Sequence, residues 1–148
     1  MSTSLRAGLV ALLEADATLL ATATGGVYDT REINRTATPD AYDSTTGLIK
    51  PCCVVVMSTP IDAGPHPDYR MAQEFFFVYY YSSEADAYAS IDAMRERVRA
   101  LIHQQRIATV DVGTVWEMRW ADGIGDQYDE VLRASMSYDR FWAWRQRT

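Results

Sequence analysis

The residues that build reaction centres are scarce in this sequence. Its 148 residues contain two histidines, His66 and His103, and two cysteines, the neighbours Cys52 and Cys53. A zinc site needs three or four His, Cys or carboxylate ligands at workable spacing, and His66 with Asp68 in Pro65-His66-Pro67-Asp68 is too little. Adjacent cysteines in a strand point to opposite faces and cannot easily bridge each other. Two buried, reduced thiols are expected, in an apolar run where a thiolate is disfavoured. There is no Gly-x-Ser-x-Gly turn to expose a nucleophile. Gly123 and Gly125 lie between acidic residues and precede neither a helix nor a lysine, so they make no phosphate cradle. Asp122, Asp126, Asp129 and Glu130 form an acidic cluster whose spacing does not match a calcium loop; it reads as a solvated turn or an acidic subunit edge. No catalytic residue, cofactor or metal is expected, and the chain is read as a non-enzyme.

Positive charge is also in short supply. Against 20 acidic residues there are 14 basic ones, of which only Lys50 is a lysine, and the formal net charge is -6. Tight nucleic-acid binding draws on clustered Lys and Arg, so it is not expected. Such a surface does suit a wall past which DNA slides without sticking. No stretch reaches the roughly 18 uncharged apolar residues of a membrane span, and Met1 to Gly8 lacks the basic start and apolar run of a signal peptide. A cytosolic protein without membrane contact is expected. Hydrophobic residues make up 48% and charged residues 23%, a balance that predicts one folded domain over residues 1–148.

What is present is patterned. Leu5, Leu9, Leu12, Leu13, Leu19 and Leu20 recur at helical spacing between Ser4 and Leu20, with Ser2 or Ser4 as a cap and Asp16 opening a second short turn. Gly25 and Gly26 end that region, and Val27 and Tyr28 begin an extended segment. Asp29 to Lys50 is polar and short-chained, without a period, and reads as a long loop or arm of the kind that is mobile or functional. Pro51 to Met57 (PCCVVVM) and Gln73 to Ser82 (QEFFFVYYYS) read as strands covered on both faces, separated by a loop from Ser58 to Ala72. Ser83 and Asp86 have capping-box spacing before a helix predicted over Glu84 to Gln104. The far side of that helix, with Asp92, Arg95, Glu96, Arg97 and Arg99, is expected to be solvated.

Beyond Arg106, alternation at Val110 and Val112 and from Val115 to Trp120 predicts a strand. Asp122-Gly123-Ile124-Gly125-Asp126 is then the turn of a hairpin, and a half-buried strand closes the chain. In that last strand Leu132, Ala134, Met136 and Tyr138 share one face, and Arg133, Ser135, Ser137 and Asp139 the other. The sum is an α+β fold: a mostly antiparallel sheet of about four to five strands, packed against two helices, with a long polar loop.

The aromatic content points to association. A strand showing Phe75 to Tyr81 needs cover on both sides; a helix supplies one, and a second layer or a neighbouring subunit must supply the other. Phe141, Trp142 and Trp144, flanked by Arg140, Arg145 and Arg147, combine the residue types enriched at interfaces. The candidate interface residues are Arg31, Arg35 and Tyr42 on the arm, Tyr79 and Tyr81 on the strand, and Phe141, Trp142, Trp144 and Arg145 near the chain end.

In this order of elements the chain resembles the tail terminator (tail completion) proteins of long-tailed bacteriophages. The resemblance rests on the helix opening Ser4-Leu5-Arg6-Ala7-Gly8-Leu9, its Asp16-Ala17-Thr18-Leu19 step and Gly26-Val27-Tyr28-Asp29. It continues through Pro51 before Cys52-Cys53-Val54-Val55-Val56, the helix from Ser83 to His103, and the strand from Val131 to Tyr138. The segment Asp29 to Lys50 departs from it as an insertion. The resemblance implies a ring, usually a homo-hexamer, at the head-proximal end of the tail tube, assembled in the host cytoplasm and carried in the tail-neck region of the virion. Its implied partners are the tail tube protein and a head-connector or stopper protein, with genomic DNA passing through unbound. The rival readings are a head-to-tail adaptor or stopper, and a small-molecule-binding domain built from Tyr79, Tyr81, His66 and Trp116.

Overall fold

Leucines four residues apart define the first helix, α1 (Leu5–Glu14): Leu5, Leu9 and Leu13 are buried, and the Ser4 hydroxyl caps the start by accepting from the Ala7 amide at 3.1 Å. Asp16 caps α2 (Ala17–Thr22) in the same way, accepting from the Leu19 amide at 2.8 Å. The predicted second turn is thus a separate short helix. The computed structural model describes residues 4–29, 33–58, 61–62, 71–107 and 115–146.

The remaining elements are β1 (Gly26–Tyr28), a short 3-10 helix at Pro39–Ala41, β2 (Cys52–Met57), β3 (Ile61–Asp62), β4 (Met71–Ser82), α3 (Ala87–Ile102), β5 (Val115–Asp129) and β6 (Ala134–Gln146). The sheet runs β1-β2-β4-β6-β5. Only β1 and β2 are parallel, and β3 pairs with β4 at Ile61–Gln73, beyond the last β2 pair at Met57–Phe76. A glycine is required where β1 begins, since a Cβ on Gly25 would lie 3.0 Å from the carbonyl oxygens of both Lys50 and Pro51. The α+β architecture expected from the sequence is the one observed.

The three helices cover one side of the sheet. Leu9, Leu13, Leu19, Ile91, Met94 and Val98 pack there against Cys53, Val55, Phe76, Val78 and Tyr80. Residues 33–50 cover part of the other side, where Ile33, Ala41 and Ile49 bury Cys52, Val54 and Ala134. This arm is built from turn chemistry. The Asn34 carboxamide oxygen accepts from the Thr36 and Ala37 amides, the Asp43 carboxylate accepts from those of Thr45 and Thr46, and Tyr42 bridges to Ile49. The polar composition that leaves no period encodes a sequence of turns pinned by three apolar side chains.

Four expectations are corrected. Asp122 to Asp126 do not turn: β5 runs through them, pairing Gly123 with Asp139 and Ile124 with Tyr138, and register shifts near Trp120 and after Ile124 absorb the extra residues as bulges. The turn lies after Asp129, whose carboxylate accepts from the Leu132 amide at 2.9 Å, and Arg133 takes a positive φ of 52°. Second, the helix begins at Ala87 without a capping box; the Asp86 side chain makes no cap bond, and the Ser83 hydroxyl donates to the Arg133 carbonyl instead. Third, Ser137 and Asp139 of β6 face the helices and are fully buried, so its polar side points inward. Fourth, the basic residues of α3 are not merely solvated: Arg97 forms a two-pronged contact with Asp16, and Arg95 and Arg99 hold Asp139. The strand expected at Val110 and Val112, and most of the loop before β4, lie outside the described residues.

Ile49 is 2% exposed and is the more deeply buried of the arm's two isoleucine anchors. Ile49→Ala is expected to cost about 2–5 kcal/mol, read as a lower urea midpoint with an unchanged slope.

Candidate subunit interface

Titratable groups converge on Asp139, whose side chain is wholly buried. Arg99 donates to its two oxygens at 2.7 and 3.3 Å, Arg95 at 3.1 Å, the Trp120 indole at 3.1 Å and the Tyr80 hydroxyl at 2.9 Å. The Arg99 guanidinium also lies 4.6 Å from the centroid of the Trp120 ring. Burial pushes the Asp139 carboxyl upward, but the bonds from Arg99, Arg95 and Trp120 outweigh it and hold the group below the usual carboxylate range. Burial, then the neighbouring Asp139 charge, pushes the Tyr80 hydroxyl well above its usual value. With both oxygens occupied the carboxylate is a clamp joining β4, β5, β6 and α3. Gly123 faces it, and a Cβ there would stand 2.5 Å from Asp139 Oδ1 and 2.7 Å from the Tyr138 carbonyl oxygen.

A folded-state pKa below the unfolded value means stability present above the unfolded carboxylate pKa and lost as pH falls through the folded one. Asp139→Asn removes the charge and leaves Arg95 and Arg99 facing each other, at an expected cost of about 3–5 kcal/mol near neutral pH. Below about pH 4 the wild type loses the same advantage, so the gap between the two proteins, measured by urea unfolding at each pH, should narrow. Gly123→Ala should cost about 1–3 kcal/mol by crowding the same carboxylate.

The opposite side of the sheet carries the aromatic surface. Strand alternation places Phe75, Phe77, Tyr79 and Tyr81 of β4 there, paired with Trp142, Arg140, Tyr138 and Met136 of β6. The rings interlock: Tyr138 meets Tyr79 at 5.2 Å and Phe77 at 5.6 Å, and Trp142 meets Trp144 edge-on at 5.4 Å. Two guanidiniums flank them, Arg140 at 5.3 Å from the Phe75 ring and Arg119 at 5.9 Å from Trp142. Each is paired within the chain, Arg140 with Asp122 at 2.7 Å and Arg119 with Glu117 at 3.1 Å, so neither offers uncompensated charge to a phosphate.

The arm reaches Tyr81, Tyr79 and Val56 but stops there. Phe75, Phe77, Tyr138, Trp142 and Trp144 stay half-buried, supported by one another, with no layer over them among the described residues. A shallow groove of about 810 Å³ runs along Val54, Val56, Phe77, Tyr79, Tyr81 and Met136, and Arg6 and Asp129 line it as well. A cluster of part-exposed rings of this kind is a candidate contact site.

Of the nine interface candidates, Tyr79, Tyr81, Trp142 and Trp144 lie on this side, with Tyr42 and Arg35 on the arm beside them. Tyr42 packs into the arm's cluster, and Arg35 donates to the Gly47 carbonyl at 3.0 Å with its guanidinium 5.5 Å from the Tyr42 ring. Phe141 does not join them: it is buried on the helix side, stacked on Phe76 at 5.4 Å, and has no surface to share. Arg31 and the side chain of Arg145 lie outside the described residues, as do His66 and the side chain of Trp116 from the rival ligand-site reading. His103 caps α3 and accepts from the Trp120 amide at 3.0 Å. Phe75, Phe77 and Tyr138 belong to the same surface, and strand alternation is the signal that places them there. Among the described residues no group of His, Cys, Asp and Glu gathers as metal ligands do.

No family model matches the chain, and no curated protein does. Its fold is shared with a chain of a solved structure, the virion of a native gene transfer agent particle. The two align with a TM-score of 0.70 at 17% identity, over 97% of this chain and 95% of that one. At this identity the likeness speaks for the fold.

Proposed function

We propose that the chain is a structural protein of a phage-like virion, a tail terminator that forms a six-membered ring on the head-proximal end of the tail tube and joins it to the head connector. The observation that carries this reading is the aromatic side of the sheet, where Phe75, Phe77, Tyr138, Trp142 and Trp144 form a continuous run of rings that stay only half-buried. End-to-end likeness of fold to a virion chain supports it, as does the resemblance read from the helix and strand order. The tail tube protein and a connector or stopper protein are its partners beyond its own copies. A net charge of -6 lets DNA pass the ring without sticking. The role needs no catalytic group.

Negative-stain microscopy of the purified protein, alone and mixed with isolated tail tubes, tests the reading. Rings in the first sample, or tubes capped at one end in the second, are expected. Single small particles beside uncapped tubes overturn it. Binding to the head portal assembly and not to tubes assigns the chain to the adaptor or stopper role.

A further inference from the structure

The groove on the aromatic side carries charge at both margins. Its floor is apolar, with Val56, Phe77, Tyr79 and Met136, and Asp129 lines it from the β5–β6 hairpin. At the opposite margin β1 ends against Val54, and Arg6 lines the groove from α1, the helix that packs against β1 and β2. Arg6 is exposed, and Asp129 has given one oxygen to the Leu132 amide. Neither takes part in an ion pair among the described residues. The groove is thus a hollow with an apolar floor, an unanswered guanidinium on one side and a carboxylate on the other.

Another part of the same chain has the opposite relief and the opposite charges. The turn between β5 and β6 is the tip of a long hairpin, and Val131 there is 92% exposed. A lone exposed valine decides nothing. This one stands between Glu130 and Arg133, both exposed and both outside every ion pair among the described residues. Leu132 is packed in the cluster under the arm, and the Ser83 hydroxyl donates to the Arg133 carbonyl at 2.8 Å. The tip is therefore tied down beside its own groove, and Val131 is presented to a neighbour. Glu84, exposed and next in sequence to Ser83, adds to the acidic side of the tip.

Resting on the ring reading above, we infer that the hairpin tip of one copy enters the aromatic groove of the next, with Val131 on the ring floor, Glu130 against Arg6 and Arg133 against Asp129. The reverse entry sets Glu130 against Asp129 and Arg133 against Arg6, so the charges fix the orientation of the contact. Two grooves placed face to face would set hollow against hollow and leave Val131 bare. Because tip and groove are different surfaces of one chain, the contact is heterologous, and its repetition closes a ring or runs on as a filament.

Charge reversal across the contact tests it. Val131→Asp removes the apolar centre and Arg6→Glu reverses one margin; both positions are exposed, so neither change opens the core. Each should weaken self-association at least about tenfold. The reading is taken by sedimentation velocity or, where rings form only on tubes, from the fraction of tail tubes capped at a given protein concentration. Adding Glu130→Arg to Arg6→Glu remakes the pair with its signs exchanged and should recover most of the loss. Glu14→Arg, on α1 but outside the groove lining, should change nothing. Circular dichroism and the urea midpoint check folding, and Val131→Ser replaces Val131→Asp should that variant not fold. Variants that assemble like the wild type, or a reversed pair no better than Arg6→Glu alone, overturn the contact while the ring reading stands. A wild type that stays monomeric at every concentration and leaves tail tubes uncapped overturns both.

Discussion

A single buried carboxylate organises this fold. Asp139 sits in β6 under α3, and the groups that neutralise it come from the neighbouring strands and the helix: Tyr80, Trp120, Arg95 and Arg99. Desolvating such a charge is favourable only when its lone pairs are filled, and here both oxygens are occupied. The requirement propagates. Gly123 must lack a side chain because the carboxylate occupies that space, β5 must bulge to place Trp120 and Gly123 correctly, and Arg95 of α3 is drawn largely out of the solvent. The arrangement fixes how the long β5–β6 hairpin sits on the helix, and with it the orientation of the aromatic side.

The same residues explain what the sequence made legible. Helix α1, α2, strand β2 and strand β4 could be read because burial there is apolar and follows a period, as with Leu5, Leu9 and Leu13 or the run from Phe75 to Tyr81. The second half of the chain obeys a different rule. In β6 the buried side carries Ser137 and Asp139, and their partners Arg95 and Arg99 lie some forty residues away, so alternation alone inverts the inward and outward sides. Asp122-Gly123-Ile124-Gly125-Asp126 has the composition of a turn, but Gly123 is there to make room for Asp139. The arm lacked a period because its apolar anchors, Ile33, Ala41 and Ile49, are spaced by turns. As for the interface, period two separates Phe141 from Trp142 and Trp144, a distinction available from the sequence once the strand was recognised. That Tyr42 and Arg35 lie beside Tyr79 and Tyr81 required the tertiary structure.

The sheet thus has two unlike sides. One is finished within the chain by three helices and a charge clamp. The other is half finished, with the arm over Cys52 and Val54 and half-buried rings over the rest. Rings that lean on one another, as Tyr79, Tyr138 and Phe77 do, are held in place before any partner arrives, so little side-chain freedom remains to be lost on contact. A surface prepared in this way suits repeated assembly from identical parts.

The neighbouring cysteines carry a consequence of their own. Cys53 belongs to the helix layer and Cys52 to the layer under the arm; both are fully buried, and burial pushes the Cys52 thiol up to about 12. A thiol reagent therefore reaches each sulfur only when its own layer opens. The thiols of two neighbouring residues act as separate clocks, one for lifting of the arm and one for separation of the helices, within a single strand and without any added label.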